Sequence, residues 1–301
     1  MTRLSPYRFA GRTAVLTGAA SGIGEQLAHG LATRGSNLVL LDRDSLRLDA
    51  VAETLRTAYP GITVQAHVVD LADRAAAVAA ADRIRAEHPA IHLLVNNAGV
   101  ALGGRFEQLT LEEFEWVMAV NFSAPLVLTH HLLPALAAAP GSHLVNVSSL
   151  YGLIAPAGQS AYSSSKFALR GLSEVLRSEL RERGIGVTTV HPGGIRTRIA
   201  ESARIGVNVS AEESEQGKRA FGALLTYPPE KAAEQILDGV QRRRARVLIG
   251  ASAKLPDILA RITPAHHMRV IQAVAAVAVR AAARRAPRPA GQATAGQEIA
   301  R

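Results

Sequence analysis

Arg12-Thr-Ala-Val-Leu-Thr-Gly-Ala-Ala-Ser-Gly-Ile-Gly24 decides the fold. Thr13 to Thr17 are apolar or β-branched in a short unbroken run, the pattern of a strand buried on both faces. The run enters the turn Gly18-Ala-Ala-Ser21-Gly22-Ile23-Gly24, and a helical pattern follows through Arg34. Strand, glycine-rich turn and helix in that order is how a parallel α/β domain cradles a pyrophosphate. The glycines let the backbone approach the phosphates, and the helix N-terminus presents unpaired N–H groups to them. The spacing is Gly-x-x-x-Gly-x-Gly rather than Gly-x-Gly-x-x-Gly, so this turn needs company before it identifies a site.

Working outward, Asn37–Leu41 reads as a second strand ending at Asp42, 24 residues after Gly18. That is close to where such folds place the carboxylate for the adenosine ribose. A helix over 44–58, a strand over 62–69 ending at Asp70, another helix, and Ile91–Val95 running into Asn96-Asn97-Ala98-Gly99 continue the alternation. Strands alternating with helices predict α/β architecture: a single doubly wound domain on a parallel sheet. Asp42 and Asp70 have a second reading, as helix N-caps or turn formers. Thr110–Ala138 reads as one long helix, with Asn121 in an apolar run where a buried amide needs partners. His143–Ser148 and Ile185–Val190 are further strands, the latter leading into His191-Pro192-Gly193-Gly-Ile195-Arg-Thr197. Residues 198–229 lose the pattern and are expected to form a mobile lid. A helix from Glu230 and a strand at Arg246–Gly250 complete the sheet.

The chemistry concentrates in Ser149-Leu150-Tyr151-Gly-Leu-Ile154 and Tyr162-Ser-Ser-Ser-Lys166. A helix over 160–183 stacks Tyr162 and Lys166 on one face, one turn apart. An ammonium beside a phenol favours phenolate, so the tyrosine is expected to titrate below its usual value of about 10. A tyrosine so tuned exchanges a proton with an alcohol oxygen. Ser149 stands at a strand's carboxyl end, where open α/β sheets bind ligands. The alternative is an ordinary Tyr–Lys pair on a solvated helix face.

Composition bounds the rest. The 301 residues are 48% hydrophobic, ample for a core, and contain no cysteine, which excludes disulfides and Cys-based metal sites. No metal site is expected. Met1–Ala10 lacks the apolar core of a signal peptide, and no uncharged apolar run reaches the roughly 18 residues of a membrane span. A soluble cytoplasmic protein is the expectation. The net charge of +9 resides wholly in residues 238–301, which hold twelve Lys/Arg and three acids. Residues 265–285 show an Ala/Val-rich helical pattern edged by arginines, which suits either the protein's own surface, a partner subunit or an anionic membrane surface. Residues 286–301 read as disordered. Arg242–Arg246 sits at a helix C-terminus, where arginines complement the dipole, so nucleic-acid binding is not expected.

With these pieces in order from about residue 10 to 250, the chain resembles the short-chain dehydrogenase/reductase family. The resemblance rests on Thr17–Gly24, Asn96–Gly99, Asn121, Ser149, Tyr162-x-x-x-Lys166, and Pro192-Gly193 with Thr197. It implies a Rossmann-type domain (1–250) with a seven-stranded parallel sheet, followed here by a basic helical extension (251–285) and a tail (286–301). It implies interconversion of an alcohol and a carbonyl with a nicotinamide cofactor. Tyr162 would be the general acid/base, Lys166 would tune it and hold the nicotinamide ribose, and Ser149 would bond the substrate oxygen. Asn121 would anchor a water leading from Lys166 to solvent. Gly18, Ser21, Gly22, Ile23 and Gly24 would line the phosphates, Asp70 and Leu71 the adenine, and Asn97, Ala98 and Gly99 the adjoining ribose. Pro192, Gly193, Ile195 and Thr197 would meet the nicotinamide. Leu150, Tyr151 and Ile154 would line a pocket for a lipophilic alcohol or ketone. Asp42 accepts bonds from a ribose 2′-hydroxyl and repels a 2′-phosphate, which favours NAD. Arg43 next door could pair with that phosphate, which keeps NADP as the alternative. The family also implies a homodimer or homotetramer.

Overall fold

A computed structural model describes residues 4–271 and 273 of the chain, residue 200 excepted. Thr13–Thr17 forms β1, Gly22–Thr33 α1, Asn37–Asp42 β2, Ser45–Ala58 α2, Val64–Val68 β3 and Arg74–Glu87 α3. Leu93–Asn96 is β4, Leu102–Gly103 β5, Leu111–Met118 α4, Ala124–Ala138 α5 and His143–Val147 β6. Ser160–Glu179 is α6, Gly186–Pro192 β7, Arg204–Ile205 β8, Ala211–Leu224 α7, Pro229–Gln241 α8, Arg246–Ile249 β9 and Ala251–Ile262 α9.

Seven strands form one parallel sheet in the order β3-β2-β1-β4-β6-β7-β9. The order reverses between β1 and β4, which are paired as Val15↔Leu94, and a crevice opens there at the strands' carboxyl ends. Helices cover both faces, so β1, β2, β4 and β6 are almost continuously buried and almost continuously apolar. Leu16, Leu38 and Leu40 pack with Leu27, Leu31 and Ile236 of α1 and α8 on one face. Val15, Val39 and Leu94 pack with Ile84 and Leu128 of α3 and α5 on the other. Aspartates start two helices: Asp44 accepts from Arg47 N at 3.2 Å, and Asp73 accepts from Ala75 N at 2.8 Å.

Several boundaries differ from the sequence reading. The long helix expected over 110–138 is broken by a π-turn at Ala119–Ser123, centred on Asn121. A π-turn adds a residue within the helix and shifts the register of everything after it, which apolar periodicity does not reveal. Leu111–Ala138 is long and apolar enough to cross a bilayer, yet half of its most apolar window is buried inside the domain. It is a core element. Helix α6 ends at Glu179 rather than 183, and the 198–229 segment is structured, containing β8 and α7. Its middle is tied down: β8 pairs with β5, Arg204 stacks 3.9 Å from the Trp116 ring, and Glu113 accepts from Val207 N at 3.1 Å.

Past residue 250, α9 packs on β9 and on the turn Leu150–Gly152, and its Asp257 is buried against Arg246 at 2.6 Å. Of the helical pattern at 265–285, residues 267–271 are helical; residues from 274 onward, the 286–301 tail included, lie outside the described residues. The arginine run is engaged within the protein. Arg242 and Arg244 pair with Asp238, and Arg246 with Asp257. Arg243, at a left-handed φ of 54°, donates to the Gly141 and Ser142 carbonyls and to His143 Nδ1.

Candidate active site

The crevice is a cavity of about 330 Å³. One end is the glycine turn. Gly18 has φ +69°, and a Cβ there would lie 2.8 Å from Ala98 Cα. Gly22, at φ +59°, would press its Cβ on Thr197. Only glycine suits either position. Thr17 Oγ1 accepts from Asn97 N and Ala98 N, both at 3.0 Å, and Asn97 Nδ2 donates to the Thr17 and Gly18 carbonyls. These bonds lash the β1 turn to the β4 turn across the switch point. Thr17 was missed as a functional residue, although its signal was available: a hydroxyl at a buried strand's end, before the glycines.

Gly18, Ser21, Gly22, Ile23, Asp42, Arg43, Asp70, Leu71, Asn97, Ala98 and Gly99 all line the cavity, as do Pro192, Gly193, Ile195 and Thr197. Gly24 does not. It is buried within α1, where any Cβ would overlap the Gly18 carbonyl, so it serves the packing of helix on turn. The Asp42 carboxylate is held by Ala20 N at 3.0 Å and Asp44 N at 3.1 Å, which aims it at the mouth. Arg47, not foreseen, also lines this end and pairs with Asp44 at 2.7 Å. Asp70 accepts from Ala72 N at 2.9 Å, so the turn-former reading of Asp70 also holds.

At the other end Tyr162 and Lys166, one helical turn apart on α6, meet Ser149. Ser149 Oγ accepts from Tyr151 N at 3.1 Å, and its hydroxyl shares the cavity with the Tyr162 phenol. Lys166 is buried; its Nζ donates to the Val147 carbonyl at 3.0 Å and lies 5.7 Å from the Tyr162 ring centre. Burial pushes Tyr162 up to about 12, with the neighbouring Ser149 hydroxyl pulling the other way. Burial also lowers Lys166 to about 8. The expectation that Lys166 brings the phenol below its ordinary value is therefore corrected. Desolvation is the dominant cause, and the Lys166 ammonium, 5.7 Å from the ring centre, does not offset it.

Asn121 lies behind the cavity rather than in it. Its Oδ1 accepts from Val100 N at 2.9 Å, and its Nδ2 donates to Val100 O and Ser165 Oγ, both at 3.0 Å. Ser165 in turn donates to the Tyr162 carbonyl at 2.7 Å. Both amide protons are used, so the side chain braces the β4 turn against α6. A Cβ on Gly99 would sit 3.2 Å from Lys166 Nζ and 3.3 Å from Asn121 Oδ1, so a methyl there would crowd both side chains. Leu150 and Tyr151 line the outer wall, whereas Ile154 is buried away from it. The wall is completed by Val100, Ile199, Phe221, Leu224 and Leu225, the last four from the segment after Thr197. Among the described residues no three His, Cys, Asp or Glu side chains cluster as a metal would require.

Fold and site define a class: a doubly wound α/β domain with a Ser–Tyr–Lys set facing a glycine turn across the switch point. The family model described as short chain dehydrogenase matches residues 12–208. "Putative oxidoreductase SadH" of Mycobacterium tuberculosis is 39% identical over 269 residues, covering 88% of this chain and 95% of the relative. D-threitol dehydrogenase of Mycolicibacterium smegmatis is 34% identical, with 76% and 86% covered. A short chain dehydrogenase/reductase from Burkholderia phymatum, solved in complex with NAD, superposes with a TM-score of 0.75 at 28% identity, covering 88% of this chain and 96% of that one. A short-chain dehydrogenase from Sphingobium yanoikuyae, in complex with NADPH, gives 0.69 at 30% identity, with 94% and 99% covered. The chain belongs to the short-chain dehydrogenase/reductase family, oxidoreductases of CH–OH or carbonyl groups.

Proposed function

We propose that the chain interconverts a lipophilic secondary alcohol and its ketone with a nicotinamide dinucleotide, NAD(H) being favoured, and that Tyr162 is the general acid/base. The observation that carries this reading is the convergence of Ser149, Tyr162 and Lys166 on one cavity whose far end is the glycine turn. The cradle fits a dinucleotide: two glycines lie where a Cβ would collide, and a fixed carboxylate, Asp42, stands at the ribose end. When bound, the nicotinamide exchanges a hydride with the substrate carbon. Tyr162 takes the alcohol proton in oxidation and returns it in reduction. Ser149 Oγ donates to the substrate oxygen and steadies charge developing there. Lys166, charged at neutral pH, makes the phenolate less costly in this buried setting.

Asp42 supports NAD(H), because a fixed carboxylate repels a 2′-phosphate. Two guanidiniums, Arg43 and Arg47, favour the second reading of an NADPH-dependent carbonyl reductase, but Arg47 is already neutralised by Asp44. The apolar wall supports an uncharged, lipophilic substrate, and Arg198, from the same segment as that wall, is paired with Glu201 at 3.1 Å. Exposed Leu126, Phe167 and Val175 on α5 and α6 support a homodimer or homotetramer. Exposed Leu255, Ile258 and Ile262 on α9, before a basic tail, support a peripheral membrane contact, tested by sedimentation with anionic vesicles.

Fluorescence titration with NADH and NADPH, followed by turnover of 2-octanol, tests the main reading. Tighter NADH binding and a loss of about 10²–10⁴-fold in kcat for Tyr162→Phe are expected. Unchanged turnover in Tyr162→Phe would exclude the mechanism, and tighter NADPH binding the cofactor preference.

A further inference from the structure

We infer that His191 is a positioning residue for Ser149: its Nδ1–H holds the Ser149 carbonyl, extends the β6–β7 connection one residue past the end of the strand ladder, and so keeps the serine hydroxyl against Tyr162. The inference rests on the role given above to Ser149.

The β6–β7 register ends at Val147↔Val190, and its last backbone bond is Ser148 N to Val190 O at 2.8 Å. Ser149 is still extended, with φ −163° and ψ 168°, but has no strand partner. Beyond Val190, β7 is paired to β9 on its other edge, as His191↔Leu248. The His191 side chain closes the gap, with Nδ1 3.0 Å from the Ser149 carbonyl oxygen. A carbonyl only accepts, so Nδ1 carries the proton. The same oxygen accepts from Gly152 N at 3.0 Å. The peptide of Ser149 is thus held from the sheet by His191 and from the following turn by Gly152, while its hydroxyl accepts from Tyr151 N and faces the cavity it shares with Tyr162. A serine released from the sheet would swing its Oγ, and an ångström of misplacement at a reacting centre is costly.

The ring is built to stay neutral and in one tautomer. It is 1% exposed. Burial, aided by the Arg246 and Arg170 guanidiniums and opposed first by the Ser149 bond and then by Asp257, holds it down at about 4. A neutral imidazole has one N–H, and Ser149 takes it. Asp257 binds Arg246 with 2.6 and 3.2 Å contacts, so α9 carries one half of the ion pair that neighbours the ring. The sequence offered only a histidine before Pro-Gly, with nothing to mark it. A buried histidine satisfying itself at a strand end would show the same bond, so the test must read Ser149.

His191→Leu removes the donor, and His191→Asn keeps an amide N–H in nearly the same place. With 2-octanol and NAD, His191→Leu is expected to lower kcat by about tenfold or more, the worth of one hydrogen bond, at unchanged affinity for NADH. His191→Asn should recover most of that loss. In a Ser149→Ala background, adding His191→Leu should change kcat by less than about twofold, because the group being positioned is gone. Equal losses in both backgrounds would overturn the inference. So would a ring-¹⁵N spectrum, assigned by difference from His191→Asn, that shows His191 as the Nε2–H tautomer near neutral pH. The spectrum needs no turnover. If wild type does not turn over 2-octanol, or if Tyr162→Phe and Ser149→Ala leave turnover intact, the proposed function fails while the spectrum still decides the His191 bond.

Discussion

Acid should destabilise this protein through two buried histidines, and the loss can be assigned to one of them. His143 starts β6, fully buried. Arg243 donates to its Nδ1 at 2.9 Å, so Nε2–H is the donor to Thr188 at 2.8 Å, and Thr188 passes its proton to the Arg244 carbonyl at 2.6 Å. A second proton on this ring would face a guanidinium. Burial first, then Arg243, lowers His143 from 6.5 to about 3, and burial lowers His191 from 6.5 to about 4. Both are depressed, so between those values and 6.5 the unfolded chain binds more protons than the native one. Stability from these sites is therefore complete above about pH 6.5 and declines as pH falls toward 4 or 3. Going from pH 7 to pH 5, each site loses about 2 kcal/mol, or about 4 kcal/mol together, a large share of a typical domain's stability. Urea unfolding at both pH values measures this in wild type and in His143→Gln, which keeps a neutral polar side chain. The variant starts less stable, but its drop between the two pH values should be smaller by about 2 kcal/mol. An equal drop in both proteins would refute the burial of a neutral imidazole at position 143.

Further outcomes follow from the site. Tyr162 lies above its ordinary value, so alcohol oxidation should accelerate with rising pH through the alkaline range, while ketone reduction should not; kcat profiles in both directions measure it. Replacing Asp42 with Ala removes a charge that would repel a 2′-phosphate and should shift preference toward NADPH by about 1–4 kcal/mol, the worth of one charge pair at a separation of about 4 Å, read as the ratio of the two Kd values. Gly24→Ala drives a methyl into the Gly18 carbonyl and should cost about 1–3 kcal/mol in urea unfolding together with loss of NADH affinity. Gly99→Ala should lower kcat with little change in stability, because its methyl would crowd Lys166 Nζ and Asn121 Oδ1 rather than the core.

The fold was legible because its signals are local. A strand buried on both faces must be apolar throughout, so β1, β2, β4 and β6 announce themselves, and their alternation with helices leaves a parallel sheet as the natural outcome. The same holds for the glycine turn, whose geometry only glycine tolerates, and for Tyr162 and Lys166, which one helical turn brings together. Other features depend on atoms far apart in the chain. Gly24 looked like a phosphate contact until the Gly18 carbonyl filled the space beside it. Ile154 looked like a pocket wall and turned inward. Asn121 sits in a π-turn whose partners, Val100 and Ser165, are 21 and 44 residues away.

Sequence by itself determined the architecture, the switch-point crevice and which side chains, Ser149, Tyr162 and Lys166, meet in it, since periodicity, glycine and helical spacing are written in consecutive residues. Only the tertiary structure decided how those side chains are tuned and held. Whether Tyr162 titrates high or low depends first on how deeply the fold buries it. What steadies Ser149 is a histidine 42 residues on, reached because β6 and β7 are neighbours in the sheet. Desolvation and long-range hydrogen bonds are properties of the folded surroundings, and no stretch of sequence contains them.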